Sequence, residues 1–442
     1  VELDPAVIDL LVKYSSEESR TLMKDSRVNL VYEDGREFIR NSRGAYDLIF
    51  LNVPDPSTAQ LNRYYTQEFY LEVLNALKPK GVFTTSIQAS VRATGDEVLT
   101  YAKIIYWTLR SIFPVVMVQP GQTYRYYACP VQGQATVDPS VMVYRYQKRK
   151  VQPENFAATF ETLFQKDLVD PLQDALKTPP LPPLNTDLHP TAYLHQNLLW
   201  NKWTGSAPSQ LLPKLKDRSP WWMVPIALVI LLIRWLRIRK RDAEGRHRFD
   251  VALAIAVLGL TSLSIELILM LAFQNAFGLL YHKVALVIAL FMFGLTVGSL
   301  GTKIYIGHEL PSESKLDILF GILMFLSGVF AAVIPALIQY TADSMIYSPM
   351  FYYFLVGLAG LMTGAGFPPA VILFHPPDRP VAYTAGVIDA MDHLGAMIGA
   401  LLAGTFWLPL WGVWTTCSIL AVMNLIVFVL LLGKRVLSSR SF

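Results

Sequence analysis

Apolar and polar positions follow one rule over the first third of this chain and another over its second half. Up to about residue 150 the apolar stretches are short. "VNLVYEDG" (28–35), "YDLIFLNV" (46–53), "GVFTTSIQ" (81–88) and "YRYYACPV" (124–131) read as strands closed by turn residues. Between them, "TQEFYLEVLNALKPKG" (66–81) and "EVLTYAKIIYWTLRSIF" (97–113) carry the helical period, the first stopped by Lys-Pro-Lys-Gly. Strands alternating with helices imply an open α/β sheet, so residues 1–150 are expected to form one α/β domain.

Residues 151–218 follow neither rule. One helix is expected near "PENFAATFETLFQKDL" (153–168), then come the stiff "TPPLPPLNTDLHP" (178–190) and the aromatic "AYLHQNLLWNKW" (192–203). The proline density predicts an extended connector lying on a neighbouring surface.

From Pro220 the apolar runs lengthen. Those at 221–236, 251–278, 283–302, 316–341, 347–374, 381–410 and 412–433 are candidate membrane helices, about seven within a domain spanning 219–436. The first is short for a span, although Trp221 and Trp222 suit one interface and Arg234 with Trp235 the other. Glycines recur at four-residue spacing, as Gly294 with Gly298, Gly360 with Gly364 and Gly395 with Gly399. Such pairs let helix backbones approach closely in lipid and predict a tightly packed bundle.

Composition strengthens the membrane reading. The chain is 53% hydrophobic and only 16% charged, whereas soluble domains carry roughly 25% charged residues. A net charge of +4, scattered, offers no nucleic-acid footprint. Its densest patch, "RIRKRDAEGRHR" (237–248), should face the cytoplasm. If the run at 221–236 spans, the α/β domain is extracytoplasmic, the reading slightly preferred here. If that run lies in the interface, the domain is cytoplasmic. Cys129 and Cys417 form no CxxC pattern, and His189, His195 and His247 lack metal-ligand spacing, so no metal site is expected.

Four blocks, taken in order, resemble the spermidine synthase (polyamine aminopropyltransferase) family: "VELDPAVIDL", "VYEDGREFI", "YDLIFLNVPDP" and "YYTQEFYLEVLNALKPKGVF". "NTDLHPTAYLHQNLLW" and "SIELILMLAFQNAFG" are similar to its membrane-embedded bacterial branch. The resemblance implies a Rossmann-like, methyltransferase-type fold that uses decarboxylated S-adenosylmethionine. It places Glu2 at the ribose hydroxyls and Asp34 at the adenine amine. It also implies a first strand and glycine-rich loop ahead of Val1. Another segment, upstream in this polypeptide or on a separate chain, is therefore expected to complete the sheet, with strands near 1–4 and 47–52 not paired directly.

The same resemblance exposes departures. The family's base position is occupied by Asn52, and an amide does not titrate. The acid that grips the diamine is kept as Asp55, a substrate-side acid is replaced by Gln88, and the family's substrate tyrosine has no equivalent near Gln119. Two readings follow: an active membrane-bound aminopropyltransferase acting on putrescine, or a pseudoenzyme that binds no cofactor and serves as a membrane subunit or docking platform. The second is preferred for mechanism.

Four ionisable residues in the apolar half need explaining: Glu266, Asp389, Asp392 and His393. Charge at membrane depth is costly and often functional. Buried polar pairs that fix helix packing are one reading. A proton or cation relay through Glu266 and Asp392 is the other, and it supports a third function, small-cation or polyamine transport.

Overall fold

The structure, a computed structural model, describes residues 1–89, 96–151, 159–204, 232, 234, 236, 243–278, 281–307, 312–343 and 348–438. The chain divides into two compact units, Val1–Ser209 and Gln210–Phe442.

The first unit is built on a mixed sheet of β1 (Tyr46–Phe50), β2 (Leu77–Gln88), β3 (Val115–Gln119) and β4 (Thr123–Cys129), in the order β1-β2-β4-β3. β1 and β2 are parallel, with Phe50 opposite Thr84, and β4 runs antiparallel to both of its neighbours. Parallel strands need a crossover. Here it is the segment carrying α4 (Ala59–Asn62) and α5 (Gln67–Ala76), where Thr58 and Thr66 cap the helices by accepting from Leu61 N–H and Phe69 N–H. The core lies on one face of the sheet. Phe69, Tyr70 and Val73 of α5 and Tyr101, Ile104 and Ile105 of α6 (Asp96–Arg110) close over Phe83 and Ile87. Phe83 stacks on Phe113 with ring centroids 6.2 Å apart.

Ahead of the sheet, α1 (Pro5–Tyr14), α2 (Glu17–Met23) and α3 (Gly35–Arg40) flank a parallel bridge between Glu2 and Tyr32. The run "VNLVYEDG" therefore forms a single bridge where a strand was expected. Its partner is Glu2, and Tyr46–Phe50 pairs with β2 alone among the described residues. Among the described residues β1 is an edge strand of the sheet, and Leu48 and Phe50 on one of its faces are 59% and 53% exposed. An isolated bridge lacks the neighbouring ladder that would extend it, so Asn29 to Val31 stay irregular. Lys78-Pro79-Lys80 also departs from expectation: the helix ends at Ala76, and these residues open β2.

The proline-dense stretch 178–190 holds neither helix nor strand and lies against α6, but the segment around it is helical rather than extended. Its described part belongs to the first unit, as α7 (Pro139–Lys148) and α8 (Thr159–Leu163) lead into α9 (Lys166–Lys177) and α10 (Thr191–Thr204). Trp107 Nε1 donates to Leu176 O at 3.0 Å and Lys103 Nζ to Thr178 O at 2.7 Å, which fastens the end of α9 to α6. Buried Asn185 donates to Tyr65 O and accepts from Ala192 N–H. The prolines stiffen a strap whose anchors are buried hydrogen bonds.

The second unit is all α: α11 (Ala243–Phe277), α12 (Tyr281–Ile306), α13 (Glu313–Asp343), α14 (Pro349–Phe374), α15 (Val381–Leu402), a π turn at Ala403–Trp407, and α16 (Leu408–Ser438). Among the described residues, five helical stretches are long and apolar enough to cross a membrane. The last, Val381–Leu432, has 52 residues, or about 78 Å at the helical rise, more than twice a bilayer core. It breaks at Gly412, whose φ of 74° suits glycine. The runs at 381–410 and 412–433 are thus two arms of one kinked stretch. The run at 221–236 lies almost wholly outside the described residues.

Glycine pairs set the packing of this bundle. A side chain at Gly294 or Gly298 would strike the backbone of Gly357 or Leu361, and one at Gly360 or Gly364 the backbone of Phe291 or Leu295. Gly395 and Gly399 press in the same way on Ala256 and Leu260 of α11.

Candidate functional site

β1 and β2 end side by side, and their tips carry the residues singled out by sequence. Leu51 N–H donates to Thr84 O at 2.9 Å, which leaves Asn52 exposed just past the ladder. Asp55 folds back under this tip. Both of its carboxylate oxygens lie 3.1 Å from the Gln88 backbone N–H, and Tyr101 Oη donates to Oδ2 at 3.4 Å. Tyr65 holds the turn from below, its hydroxyl 3.3 Å from Val53 O and 3.2 Å from Pro54 O. Burial pushes the Asp55 carboxyl up to about 6, against the lowering effect of the Gln88 and Tyr101 hydrogen bonds. Asn52, Asp55 and Gln88 thus share one corner, yet Asp55 is tied to protein donors and the exposed group is an amide.

Glu2 and Asp34 come together through the Glu2–Tyr32 bridge, with Glu33 N–H donating to Glu2 O at 3.1 Å. The Glu2 carboxylate accepts from Leu3 N–H at 2.8 Å and Asp4 N–H at 3.1 Å. Asp34 is the N-cap of α3, accepting from Arg36 N–H and Glu37 N–H, and is ion-paired with buried Arg63. Its carboxylate is committed to the fold, which is a poor fit to an open acceptor for an adenine amine. Glu2, half-buried at the edge, keeps capacity for a hydroxyl donor.

Sequence reasoning missed the charge network beside this corner. Arg36, 2% exposed, donates from Nε to Glu72 at 3.0 Å and from Nη2 to Asp187 at 2.7 Å. Arg40 reaches Glu72 at 3.1 Å, and Glu68 accepts from Asp187 N–H at 2.9 Å. Burial, reinforced by Asp187, raises the Glu68 carboxyl. Arg36 stands within the quoted "VYEDGREFI" block, but Asp187 lies 151 residues away, and no local pattern joins them.

In the helical unit the four ionisable residues do not converge. Glu266 is buried on α11. Asp392 presses on Gly259 of the same helix, and its Oδ1 is buried with no hydrogen-bond partner among the described residues. Gly259 and Glu266 are about 10 Å apart along the helix. Asp389 and His393 pair at 3.6 Å but face outward, 61% and 74% exposed, so they are not the buried pair expected of them. Helical periodicity sets them on one face; it does not say which face is covered.

Residues 1–119 match the spermine/spermidine synthase domain. Within this synthase-like region the chain is similar to curated polyamine aminopropyltransferases. That of Oceanobacillus iheyensis is 34% identical over 111 residues, covering 25% of this chain and 20% of the relative. That of Buchnera aphidicola is 33% identical over 104 residues, covering 24% and 36%. The match thus spans little more than a third of such relatives at most. Among solved structures, a spermidine synthase bound to the transition-state analogue AdoDATO is 21% identical, covering 40% of this chain and 57% of that one. Its TM-score is 0.29, a likeness too partial to add to the sequence match.

Proposed function

We propose that this protein is a multi-pass component of a bacterial cytoplasmic membrane whose synthase-like unit serves as a docking platform in a larger assembly and has lost aminopropyl transfer. The observation that carries the reading is the β1–β2 corner. Aminopropyl transfer needs a group that accepts a proton from a cationic amine. Asn52 cannot accept it, and Asp55 is held by the Gln88 N–H and the Tyr101 hydroxyl. The commitment of Asp34 to α3 and Arg63 supports the absence of a bound cofactor.

A further strand, from upstream or from a separate chain, is proposed to pair with β1, an edge strand among the described residues. One exposed feature supports the assembly role. The outward Asp389–His393 pair lies on a membrane helix, where lipid cannot satisfy it. The α/β unit is placed outside the cytoplasm, a placement that protease treatment of right-side-out vesicles tests directly.

The function test is calorimetry of full-length protein with decarboxylated S-adenosylmethionine and putrescine, alongside a product assay. No spermidine is expected from the wild type. Product formation at a rate set by both ligands overturns the reading and restores the active enzyme, which the matched domain and the adjacent Glu2 and Asp34 favour. Transport of a cation or polyamine is not favoured, because Glu266 lies inside the bundle while Asp389 and His393 face out of it.

A further inference from the structure

A cavity in the α/β unit lies against β3 and β4. It has a volume of about 490 Å³, and its floor is the ends of β3 and β4, with Gln119, Arg125 and Tyr127. Its wall is α7 with the start of α8 and the turn beyond it. Three arginines line it: Arg125, Arg145 and Arg149. Among the described residues no carboxylate does.

Each cation is placed differently. Arg145 is fixed, donating from Nη1 to Gln134 O and from Nη2 to Gly133 O, both at 2.8 Å. That leaves three of its five N–H groups for other use. Arg125 is exposed, with its guanidinium 5.8 Å from the centroid of the Phe50 ring. Arg149 closes α7 and is also exposed. The remaining wall is apolar and aromatic, with Tyr146 edge-on to Phe160 at 5.6 Å and Phe164 buried behind them. Tyr127 Oη donates to Gln119 Oε1 at 2.8 Å, which fixes the floor.

We infer that this cavity binds a small phosphate monoester with an aromatic body. Three guanidinium groups, with no carboxylate beside them in the lining among the described residues, match a dianion better than a single carboxylate, and guanidinium forks suit phosphate oxygens. The Tyr146–Phe160 wall offers a ring face beside that charge. The volume lies within the range of small-molecule sites. A polyamine, being a polycation, is repelled here, so this site does not rest on the synthase resemblance.

The test uses full-length protein in nanodiscs of neutral phosphatidylcholine and 4-(trifluoromethyl)phenyl phosphate as the probe. Fluorine NMR line broadening of the probe reads binding. Broadening with the wild type is expected, reversed by excess inorganic phosphate. The double variant R125Q/R149Q changes two exposed side chains and is expected to weaken binding at least tenfold with an unchanged thermal transition. Phe160→Ala is expected to weaken the probe while leaving the inorganic phosphate affinity in place. No broadening with the wild type, or equal broadening with the double variant, overturns the proposal. Should the double variant unfold early, Arg149→Glu alone carries the same test, and unchanged affinity there overturns it too.

Discussion

In the α/β unit Arg36 sits at 2% exposure between Glu72 and Asp187, whereas in the helical unit Gly364 lies directly against the backbone of Leu295. The first unit buries charge in an extended network; the second brings backbones together by omitting side chains. Buried ionisable pairs in the second, such as Arg234–Asp250 and His247–Asp317, involve the first turns of α11 and α13. The difference reflects the two solvents. In water, hydrophobic burial drives collapse, and a buried ion pair persists only when every group finds a partner. In lipid that drive is missing between helices, so close packing of small residues takes over and polar contacts are few. Asn424 Nδ2 donating to Thr261 Oγ1 at 2.7 Å is one such contact.

Arg63→Met is the strongest way to break the comparison. It leaves Asp34 buried and unpaired, and a loss of about 3–5 kcal/mol is expected in denaturant unfolding of the α/β unit. Adding Asp34→Asn should recover part of that loss, because the stranded charge is gone while a cap remains. A loss equal to that of an exposed pair would show that the network contributes little.

Gly364→Ala and Gly386→Ala form a matched pair in the helical unit. Helix propensity favours alanine at both positions, by about 1 kcal/mol. A Cβ at Gly364 collides with the Leu295 backbone, while at Gly386 it meets open space. Gly364→Ala should therefore destabilise the bundle by about 3 kcal/mol in SDS-induced unfolding. Gly386→Ala should be neutral or slightly stabilising. Equal signs would refute backbone packing as the organising contact.

The corner itself predicts a pH dependence. The Asp55 carboxyl is raised to about 6 in the fold, above roughly 3.9 for an unfolded aspartate. Between those values the folded state holds the proton and the unfolded state does not. Stability from this group is present below about pH 4 and falls as pH rises to about 6, by at most about 3 kcal/mol. Asp55→Asn should flatten that part of the profile in unfolding curves collected across it. A profile identical to the wild type would mean that Asp55 is not buried as described.

Smallest is Thr261→Val, which removes a single interhelical hydrogen bond. About 0.6 kcal/mol is expected in the same SDS assay. A loss several times larger would mean that polar contacts, as well as glycines, hold the bundle together.

Much of this architecture was legible in sequence. Alternating runs gave β1, β2 and β4, and four-residue spacing picked out the glycines that pack α12 on α14. Other features were not. β3 is a strand of five residues, "VVMVQ", with no alternation to set it apart. The helices flanking the proline stretch and its anchors on α6 were not legible, because proline stiffness says nothing of what a strap is fastened to. At the site, Asn52 and Asp55 were legible as residue types, but the Asp55 hydrogen bonds to Gln88 and Tyr101 were not, since both partners are distant in the chain.

By itself the sequence determined the division of labour between an α/β half and an apolar helical half, because period and run length follow from local geometry and from the solvent around each half. It also fixed that the strand tip carries an amide. Only the tertiary structure decided which charges are covered. It buried Arg36 against an acid far along the chain, held Asp55 inside the corner and turned Asp389 and His393 outward. Periodicity assigns a residue to a face, whereas burial depends on what packs against that face.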